Sequence, residues 1–134
     1  MAIEIPKQVA DRLKEEQVIW LTTTKTDGTP LPNPVWFYWN GEQFLVFTDS
    51  TTIKWKNMAS NSKVALNMNS NQDGGDVAIF QAEAALNGPP PSKDELDSYV
   101  TKYEEGMASI GLTRDELKTS GLVRITPTKF RTYP

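Results

Sequence analysis

The alternation of apolar and polar side chains predicts strands over much of the chain. Segments rich in β-branched and aromatic residues, the composition typical of strands, cover residues 18–24, 31–39, 43–48, 63–68, 77–86 and 122–126. An Asn-Gly pair at residues 40–41 predicts a tight hairpin between the second and third segments. The pattern therefore predicts about six strands that are joined mostly as hairpins.

Helical spacing is confined to short segments. Helices are predicted at residues 6–16, at residues 53–59 and after the three prolines 89–91. After those prolines, Ser92 with Glu95 and Thr113 with Glu116 have the spacing of capping boxes. Many strands with few helices between them favour an α+β, mainly β, fold: an antiparallel β-barrel with a few peripheral helices, in a single domain over residues 1–134.

The second predicted strand contains Pro32 and Pro34. A proline has no backbone N–H to donate to a neighbouring strand, so prolines occur at sheet edges and bulges. This strand is therefore expected at an edge or a bulge of the barrel.

The chain contains no histidine and no cysteine, which excludes thiol nucleophiles, Ser-His-Asp triads and zinc sites built from these residues. A bound cofactor is then the economical source of chemistry, because it carries its own reactivity; no metal site is expected. The net charge of −3 argues against a nucleic-acid partner, and the apolar runs are too short to cross a membrane. Because charged residues stand where a signal peptide needs an apolar stretch, a cytoplasmic protein is expected.

Residues 48–57 combine hydroxyl groups, the start of a helix and lysines. Thr48, Ser50 and Thr52 offer hydroxyls, the helix offers unpaired backbone N–H groups, and Lys54 and Lys56 add positive charge. This combination suits a phosphate group. A Thr/Ser run that only caps a helix has the same composition, so the residues alone leave both interpretations open.

Residues 34–39, PVWFYW, place four aromatic rings in the proline-containing strand. Such a strand fits against the face of a planar cofactor. The plainer interpretation is a barrel core filled by aromatic side chains, and aromatic content alone favours it.

Taken together, these segments resemble the pyridoxamine-phosphate-oxidase-like split-barrel superfamily of flavin-binding proteins. The resemblance extends from VIWLTTTKTDGTPLPNPVWFYWNGEQFLVFTDS through TTIKWKNMASNSKVALNM to VAIFQAEAAL, and it rests on the order and spacing of the segments. The C-terminal portion, SYVTKYEEGMASIGLTRDELKTSGLVRITPTKFR, is similar to one branch, the probable deazaflavin (coenzyme F-420)-dependent oxidoreductases. The resemblance implies a split β-barrel.

The resemblance also implies where a cofactor would bind. In the family the ring system lies across the strand of Pro-Val-Trp type, which corresponds here to Val35, Trp36 and Phe37. The family's phosphate segment corresponds to Thr48, Ser50, Thr52 and Lys54. The family's site lies at a dimer interface, which implies a homodimer.

Two positions depart from the family pattern. Ile53 stands where flavin-phosphate oxidases have an arginine before the phosphate lysine. The terminal phosphate of FMN is nearly a dianion and favours paired cations, whereas the deazaflavin carries a singly charged phosphodiester. Ile53 therefore favours the deazaflavin over FMN, unless Lys56 supplies the second charge. Ala82 replaces a glycine that is usual in a later strand, which narrows the cleft without closing it.

The function that the resemblance implies is a flavin- or deazaflavin-dependent oxidoreductase, which passes a hydride between the cofactor and a small organic substrate. The chain would supply orientation and a dry site. No residue is singled out as a catalytic acid or base, although Tyr38 or a bound water is able to serve. Two alternatives stay open: a non-catalytic module of the same fold that binds a cofactor or haem, and a barrel without a ligand.

Overall fold

The computed structural model describes residues 3–133, and Met1, Ala2 and Pro134, the ends of the predicted domain, lie outside the described residues. The helices are α1 (Lys7–Glu15), α2 (Ile53–Ser60), α3 (Lys93–Lys102), α4 (Glu104–Ser109) and α5 (Arg114–Thr119). The strands are β1 (Ile19–Thr24), β2 (Pro30–Val35), β3 (Tyr38–Trp39), β4 (Phe44–Phe47), β5 (Lys63–Asn67), β6 (Val77–Ala85) and β7 (Leu122–Tyr133). These elements of the described chain confirm the predicted class, α+β and mainly β.

The strands form one antiparallel sheet in the order β2-β1-β5-β6-β7-β4-β3. β2 and β3 lie at opposite ends of this order, yet only Trp36 and Phe37 separate them along the chain. The three Cα–Cα steps from Val35 to Tyr38 span at most about 11 Å, so the two ends of the sheet must come together. The sheet therefore curls into a barrel that the chain itself closes at this point, which is the predicted split barrel.

The break between β2 and β3 divides the predicted strand at residues 31–39, so the described chain has seven strands rather than about six. At the break, the Phe37 N–H donates to the Tyr103 hydroxyl oxygen at 2.8 Å, and the same hydroxyl lies 2.9 Å from the Phe37 carbonyl oxygen. A side chain thus replaces a neighbouring strand for both backbone groups of Phe37. The ladder is interrupted without leaving these buried groups unpaired.

The prolines of β2 lie on one side of an edge strand. Among the described strands, β2 pairs with β1 alone, which confirms the expected edge position. Pro30, Pro32 and Pro34 occupy alternate positions and are all exposed. Backbone N–H groups point alternately to the two sides of a strand, so these prolines remove donors only from the side that faces away from β1. Such an edge resists pairing with another strand.

The last strand continues beyond the predicted residues 122–126, because a bulge accommodates Pro127. Gln81 pairs with Lys129 and Ala82 pairs with Pro127, so that Thr128 is an extra residue in β7. The Thr128 hydroxyl donates to the Gln81 carbonyl at 3.1 Å. A bulge tolerates a residue without an N–H donor, and β7 therefore runs on to Tyr133.

Two groups of buried side chains stabilise the molecule. The barrel core includes Leu13, Ile19, Leu21, Phe37, Phe44, Leu66, Phe80 and Ile125. Helices α3, α4 and α5 and the residues between them form a segment that we call the helical cover. The second group of buried side chains belongs to this segment and comprises Leu96, Tyr99, Tyr103, Met107 and Leu117. Both predicted capping boxes are confirmed, at the starts of α3 and α5. None of the described helices has the length and apolar character needed to span a membrane.

Candidate functional site

The N-terminus of α2 offers hydrogen-bond donors to an anion. The Thr52 hydroxyl caps the helix, because it accepts the Trp55 N–H at 3.3 Å and donates to the Asp49 carbonyl at 2.8 Å. Within residues 3–133 the N–H groups of Ile53 and Lys54 have no acceptor, as is usual in a first helical turn. Capping uses one hydroxyl and leaves these N–H groups at the positive end of the helix dipole. The capping and phosphate interpretations of this segment are therefore compatible.

A cleft of about 430 Å³ separates the N-terminus of α2 from β2. Residues 31–33 of β2 form one wall, and residues 51–54 form the other. Lys54 is half-buried in this wall, whereas 65% of the Ile53 side chain is exposed. The cleft thus combines an apolar surface, one ammonium group and unpaired backbone N–H groups.

The other predicted phosphate residues lie in different environments. Thr48 is buried; its N–H donates to the Gly121 carbonyl at 2.9 Å, and its hydroxyl lies 3.3 Å from that of Thr52. Ser50 and Lys56 are exposed and do not line the cleft. The fold therefore brings Thr52 and Lys54 to the cleft, holds Thr48 behind Thr52, and leaves Ser50 and Lys56 on the surface.

The three predicted ring-contacting residues lie where β2 ends. Val35 and Phe37 belong to the barrel core, with 8% and 0% of their surfaces exposed. Trp36 is half-buried, and its ring stacks on that of Tyr103 with centroids 4.6 Å apart and planes 7° from parallel. Of the three, Trp36 alone offers a partly exposed ring. The core interpretation of the aromatic strand thus describes Phe37, whereas the Trp36 ring is partly exposed.

Tyr103 and Lys102 fix this segment from the helical cover, and the sequence indicated neither role. Besides its contacts with Phe37, the Tyr103 hydroxyl lies 2.8 Å from the Gln17 carbonyl oxygen. The Lys102 ammonium donates to the carbonyls of Phe37 at 3.1 Å and Leu13 at 3.2 Å, and lies 3.7 Å from the centre of the Phe37 ring. Burial lowers the pKa of Lys102 to about 8 and raises the pKa of Tyr103. No local pattern shows which carbonyl the Tyr103 hydroxyl or the Lys102 ammonium will meet, because their partners lie more than sixty residues earlier in the chain.

Gly121 also positions the site and was missed. A Cβ atom at this residue would clash with the Thr48 carbonyl oxygen and lie 2.8 Å from the Trp55 ring. The start of β7 therefore approaches the α2 segment more closely than a side chain permits. No local pattern around Gly121 predicts this contact, because its partners lie more than sixty residues earlier in the chain.

The charges near α2 suit a phosphate-bearing organic ligand better than a metal ion. The Asp49 carboxylate accepts the N–H and the hydroxyl of Thr51 at 2.8 and 2.9 Å, and these hydrogen bonds lower its pKa. Positive potential at the cleft comes from Lys54 and the helix N-terminus. Among residues 3–133, no group of three or more His, Cys, Asp or Glu side chains is placed to hold a metal ion.

Comparison with known families identifies the chain's relatives. A family model described as pyridoxamine 5'-phosphate oxidase matches residues 5–133, nearly the whole chain. This match confirms the family that the sequence segments resemble. No curated protein sequence matches the chain.

Solved structures share the fold at low sequence identity. An F420 reductase is 21% identical, over 95% of this chain and 98% of its own, with a TM-score of 0.73. The haem storage protein HutZ from Vibrio cholerae is 16% identical, over 98% of this chain and 96% of its own, with a TM-score of 0.68. An FAD-binding protein from Mesorhizobium loti is 16% identical, over 92% of this chain and 87% of its own, with a TM-score of 0.69. Such identities show a common fold, and the names of these proteins refer to three different ligands.

Proposed function

Since the chain belongs to the pyridoxamine 5'-phosphate oxidase family, we propose that it binds a flavin or deazaflavin and acts as an oxidoreductase on a small organic substrate. The observation that carries this proposal is the cleft between β2 and α2, where Lys54 and two N–H groups without an acceptor in the described chain lie opposite a largely apolar wall. Such a cofactor, when bound, supplies hydride transfer. The chain would bind and orient it, since no acid or base is singled out at the cleft.

β2 connects the two parts of the proposed site. Asn33 lines the cleft, and Trp36 lies three residues further along, about 10 Å of extended chain. A phosphate at the N-terminus of α2 and a ring beside Trp36 would thus be separated by the length of a short linker. In this arrangement Lys54 and the N–H groups of α2 hold the phosphate, and the exposed part of Trp36 contacts the ring.

The same cleft favours the deazaflavin over FMN. Ile53 is exposed beside Lys54, and Lys56 lies outside the cleft lining, so one ammonium group faces the phosphate position. One ammonium group balances a phosphodiester, whereas a terminal phosphate carries nearly two charges and favours a second cation.

We also propose a homodimer, as the family resemblance implies. The helical cover packs against Trp36 and Tyr38, so a partner is not required to bury them. What supports the dimer is Ile53, an exposed apolar side chain beside the cleft, which a second copy would cover. Light scattering is expected to give twice the monomer mass of 15.0 kDa. The monomer mass at micromolar concentration would contradict both the dimer and a shared site.

A second candidate is a non-catalytic module that stores a cofactor or haem. The common fold with a haem storage protein favours it. Against haem, the chain has no histidine and no cysteine to ligate iron. Anaerobic mixing of the protein loaded with reduced cofactor and a panel of quinones and enones separates the two functions, because a storage module would bind the cofactor without speeding its oxidation.

Titration of FMN and coenzyme F-420 into the wild type and Lys54→Ala, followed by fluorescence, tests the phosphate site. Lys54→Ala is expected to weaken binding by about 1.5–3 kcal/mol, the usual size of a charge-assisted hydrogen bond. Lys56→Ala, on the same helix but outside the cleft, is expected to lose less affinity for the cofactor than Lys54→Ala. Lys118→Ala, an exposed lysine on α5, is the control and should bind as the wild type does. Unchanged affinity in Lys54→Ala would refute the phosphate assignment.

Ile53→Arg tests the choice of cofactor. An added guanidinium is expected to improve FMN binding by about 1–2 kcal/mol, and deazaflavin binding by less, in a variant that light scattering shows to keep the wild-type mass. Its charge in the first turn of α2 opposes the helix dipole, which reduces the gain. Tight FMN binding by the wild type, without a response to Ile53→Arg, would mean that another residue already supplies the second charge.

A further inference from the structure

A second cleft, of about 530 Å³, lies between the end of α1, β3 and α3. α1 and the residues after it contribute Leu13, Lys14 and Gln17, and β3 contributes Tyr38 and Trp39. α3 contributes residues 97, 98, 101 and 102. None of these residues lines the cleft at α2, so the two clefts are separate in the described chain.

One wall of this second cleft is aromatic. Tyr38 and Trp39 are both half-buried, and Trp39 is braced from behind by the buried Phe44, whose ring centroid lies 4.5 Å away. A half-buried ring that is fixed in this way, such as that of Trp39, offers a flat apolar surface to a planar ligand. The wall is therefore suited to an aromatic ring.

The charges around the cleft leave a positive excess. Asp97, the acidic residue of the lining, is bound by both Lys93 and Arg114. The Lys102 ammonium is directed to main-chain carbonyls, including that of Leu13 in the last turn of α1, where it offsets the negative end of the helix dipole. Lys14 makes no ion pair within residues 3–133 and lines the same cleft. Its ammonium is thus the charge available to a ligand.

Glu16 is the other carboxylate near Lys102. Its Oε2 lies 3.3 Å from the Arg12 Nε, and it does not line the cleft. The positive charge of Lys14 is therefore not cancelled by a carboxylate of the lining.

Neutral polar groups complete the cleft. The side chains of Gln17, Tyr38, Ser98 and Thr101 line it, and none makes a hydrogen bond within the described part of the chain. A few free polar groups beside an apolar wall are the usual composition of a small-molecule site.

We propose that this cleft binds a small aromatic carboxylate, with its ring against Trp39 and its carboxylate held by Lys14 and the free hydroxyls. A single available ammonium suits one negative charge, and the cleft has no helix N-terminus that would favour a phosphate. The site requires no cofactor. Its presence is therefore independent of the function proposed above.

Titration of benzoate into ¹⁵N-labelled protein without added cofactor, followed by NMR, tests this proposal. Benzoate is expected to shift the amide signals of Gln17, Tyr38 and Thr101, with a dissociation constant on the order of 1 mM for a ligand of this size. Benzamide, which has the same shape without the charge, is expected to bind about tenfold more weakly.

Lys14→Gln should weaken benzoate binding about five- to tenfold and leave benzamide binding unchanged. Lys118→Gln removes the same charge from a distant exposed position and should leave both affinities unchanged. Three results would overturn the proposal: no saturable shift in the millimolar range, equal affinity for benzoate and benzamide, or equal effects of the two lysine variants. Because no cofactor is present, each of these results leaves the cofactor proposal standing.

Discussion

Two helical segments pack on the barrel beside β2 and β3, and their polar groups are used differently. At α2 the N–H groups of Ile53 and Lys54 have no partner within residues 3–133. In the helical cover, the Tyr103 hydroxyl and the Lys102 ammonium are bonded to the backbone of Phe37 and the end of α1. Unpaired donors beside a cleft are available to a ligand, whereas donors bonded to buried backbone groups stabilise the fold. The N-terminus of α2 therefore has donors that are available to a ligand, whereas the donors of the helical cover hold the break between β2 and β3 in place.

The largest effect is expected at Gly121, where the cover and the α2 segment meet. Gly121→Ala places a methyl group against the Thr48 carbonyl and the Trp55 ring, and is expected to lower the free energy of unfolding by about 3 kcal/mol. At Gly106 the nearest atoms belong to the Trp36 side chain, which is able to move. Gly106→Ala should therefore lower the free energy of unfolding by less than Gly121→Ala does. Urea unfolding of both variants measures the difference. Equal losses would mean that the backbone contact at Gly121 relaxes easily.

Tyr103→Phe tests whether the cover fixes the strand break. The variant keeps the ring that stacks on Trp36 but removes the only side-chain partner of the Phe37 N–H within the described chain. Because that N–H is then buried without an acceptor, the free energy of unfolding should fall by about 2 kcal/mol. Tyr99→Phe is the matched control, since the buried Tyr99 has no hydroxyl partner among residues 3–133; it should change stability by less than about 0.5 kcal/mol. Similar losses in the two variants would contradict the role assigned to the Tyr103 hydroxyl.

Glu95 anchors the start of the cover to the barrel, and acid should release it. Its carboxylate binds the Arg124 guanidinium through both oxygens, at 2.8 and 3.0 Å, and this contact is the main reason that its pKa is lowered to about 2. Because the folded pKa lies below the unfolded value, the stabilisation is present above about pH 4.5 and is lost as the pH falls towards 2. The stability difference between the wild type and Glu95→Gln is therefore expected to shrink by about 2 kcal/mol over this range.

Chemical denaturation of the wild type and Glu95→Gln at several pH values measures how much stabilisation by the Glu95 carboxylate is lost in acid. Glu15→Gln, at an exposed position of α1, serves as the control and should show no such trend. A stability difference for Glu95→Gln that stays constant from pH 7 to pH 3 would show that the ion pair with Arg124 does not anchor the cover.

The smallest effect on stability is expected for Lys54→Ala. Its ammonium makes no hydrogen bond or ion pair within residues 3–133, so the free energy of unfolding should change by less than about 0.5 kcal/mol, although the affinity for the cofactor is expected to fall. Thermal unfolding without ligand measures this. A large loss of stability would mean that Lys54 stabilises the fold, as Tyr103 and Lys102 of the helical cover do, and would contradict its assignment as a ligand-binding group.

The α2 part of the proposed site was inferred from a local segment of the sequence. Thr52 and Lys54 stand two residues apart in one segment, and the rules for helix termini apply to it directly. For the proposed ring contacts, the sequence analysis named Val35, Trp36 and Phe37 without separating their orientations. The period of two along a strand places Val35 and Phe37 on the side opposite to Trp36, and the burial of these residues follows that alternation. This signal was present in the sequence and would have separated the core residues from the accessible ring.

Local sequence patterns predicted most strand positions, the capped helix starts and the edge position of β2, because backbone sterics and side-chain period act over a few neighbouring residues. The place where the barrel splits, the cleft that Lys54 lines and the lack of room for a side chain at Gly121 became clear from the three-dimensional packing. Those features depend on contacts such as the one between Phe37 and Tyr103, which lie 66 residues apart. Such contacts form only when the curled sheet brings distant segments together, and no local pattern records which hydroxyl or carbonyl will meet there.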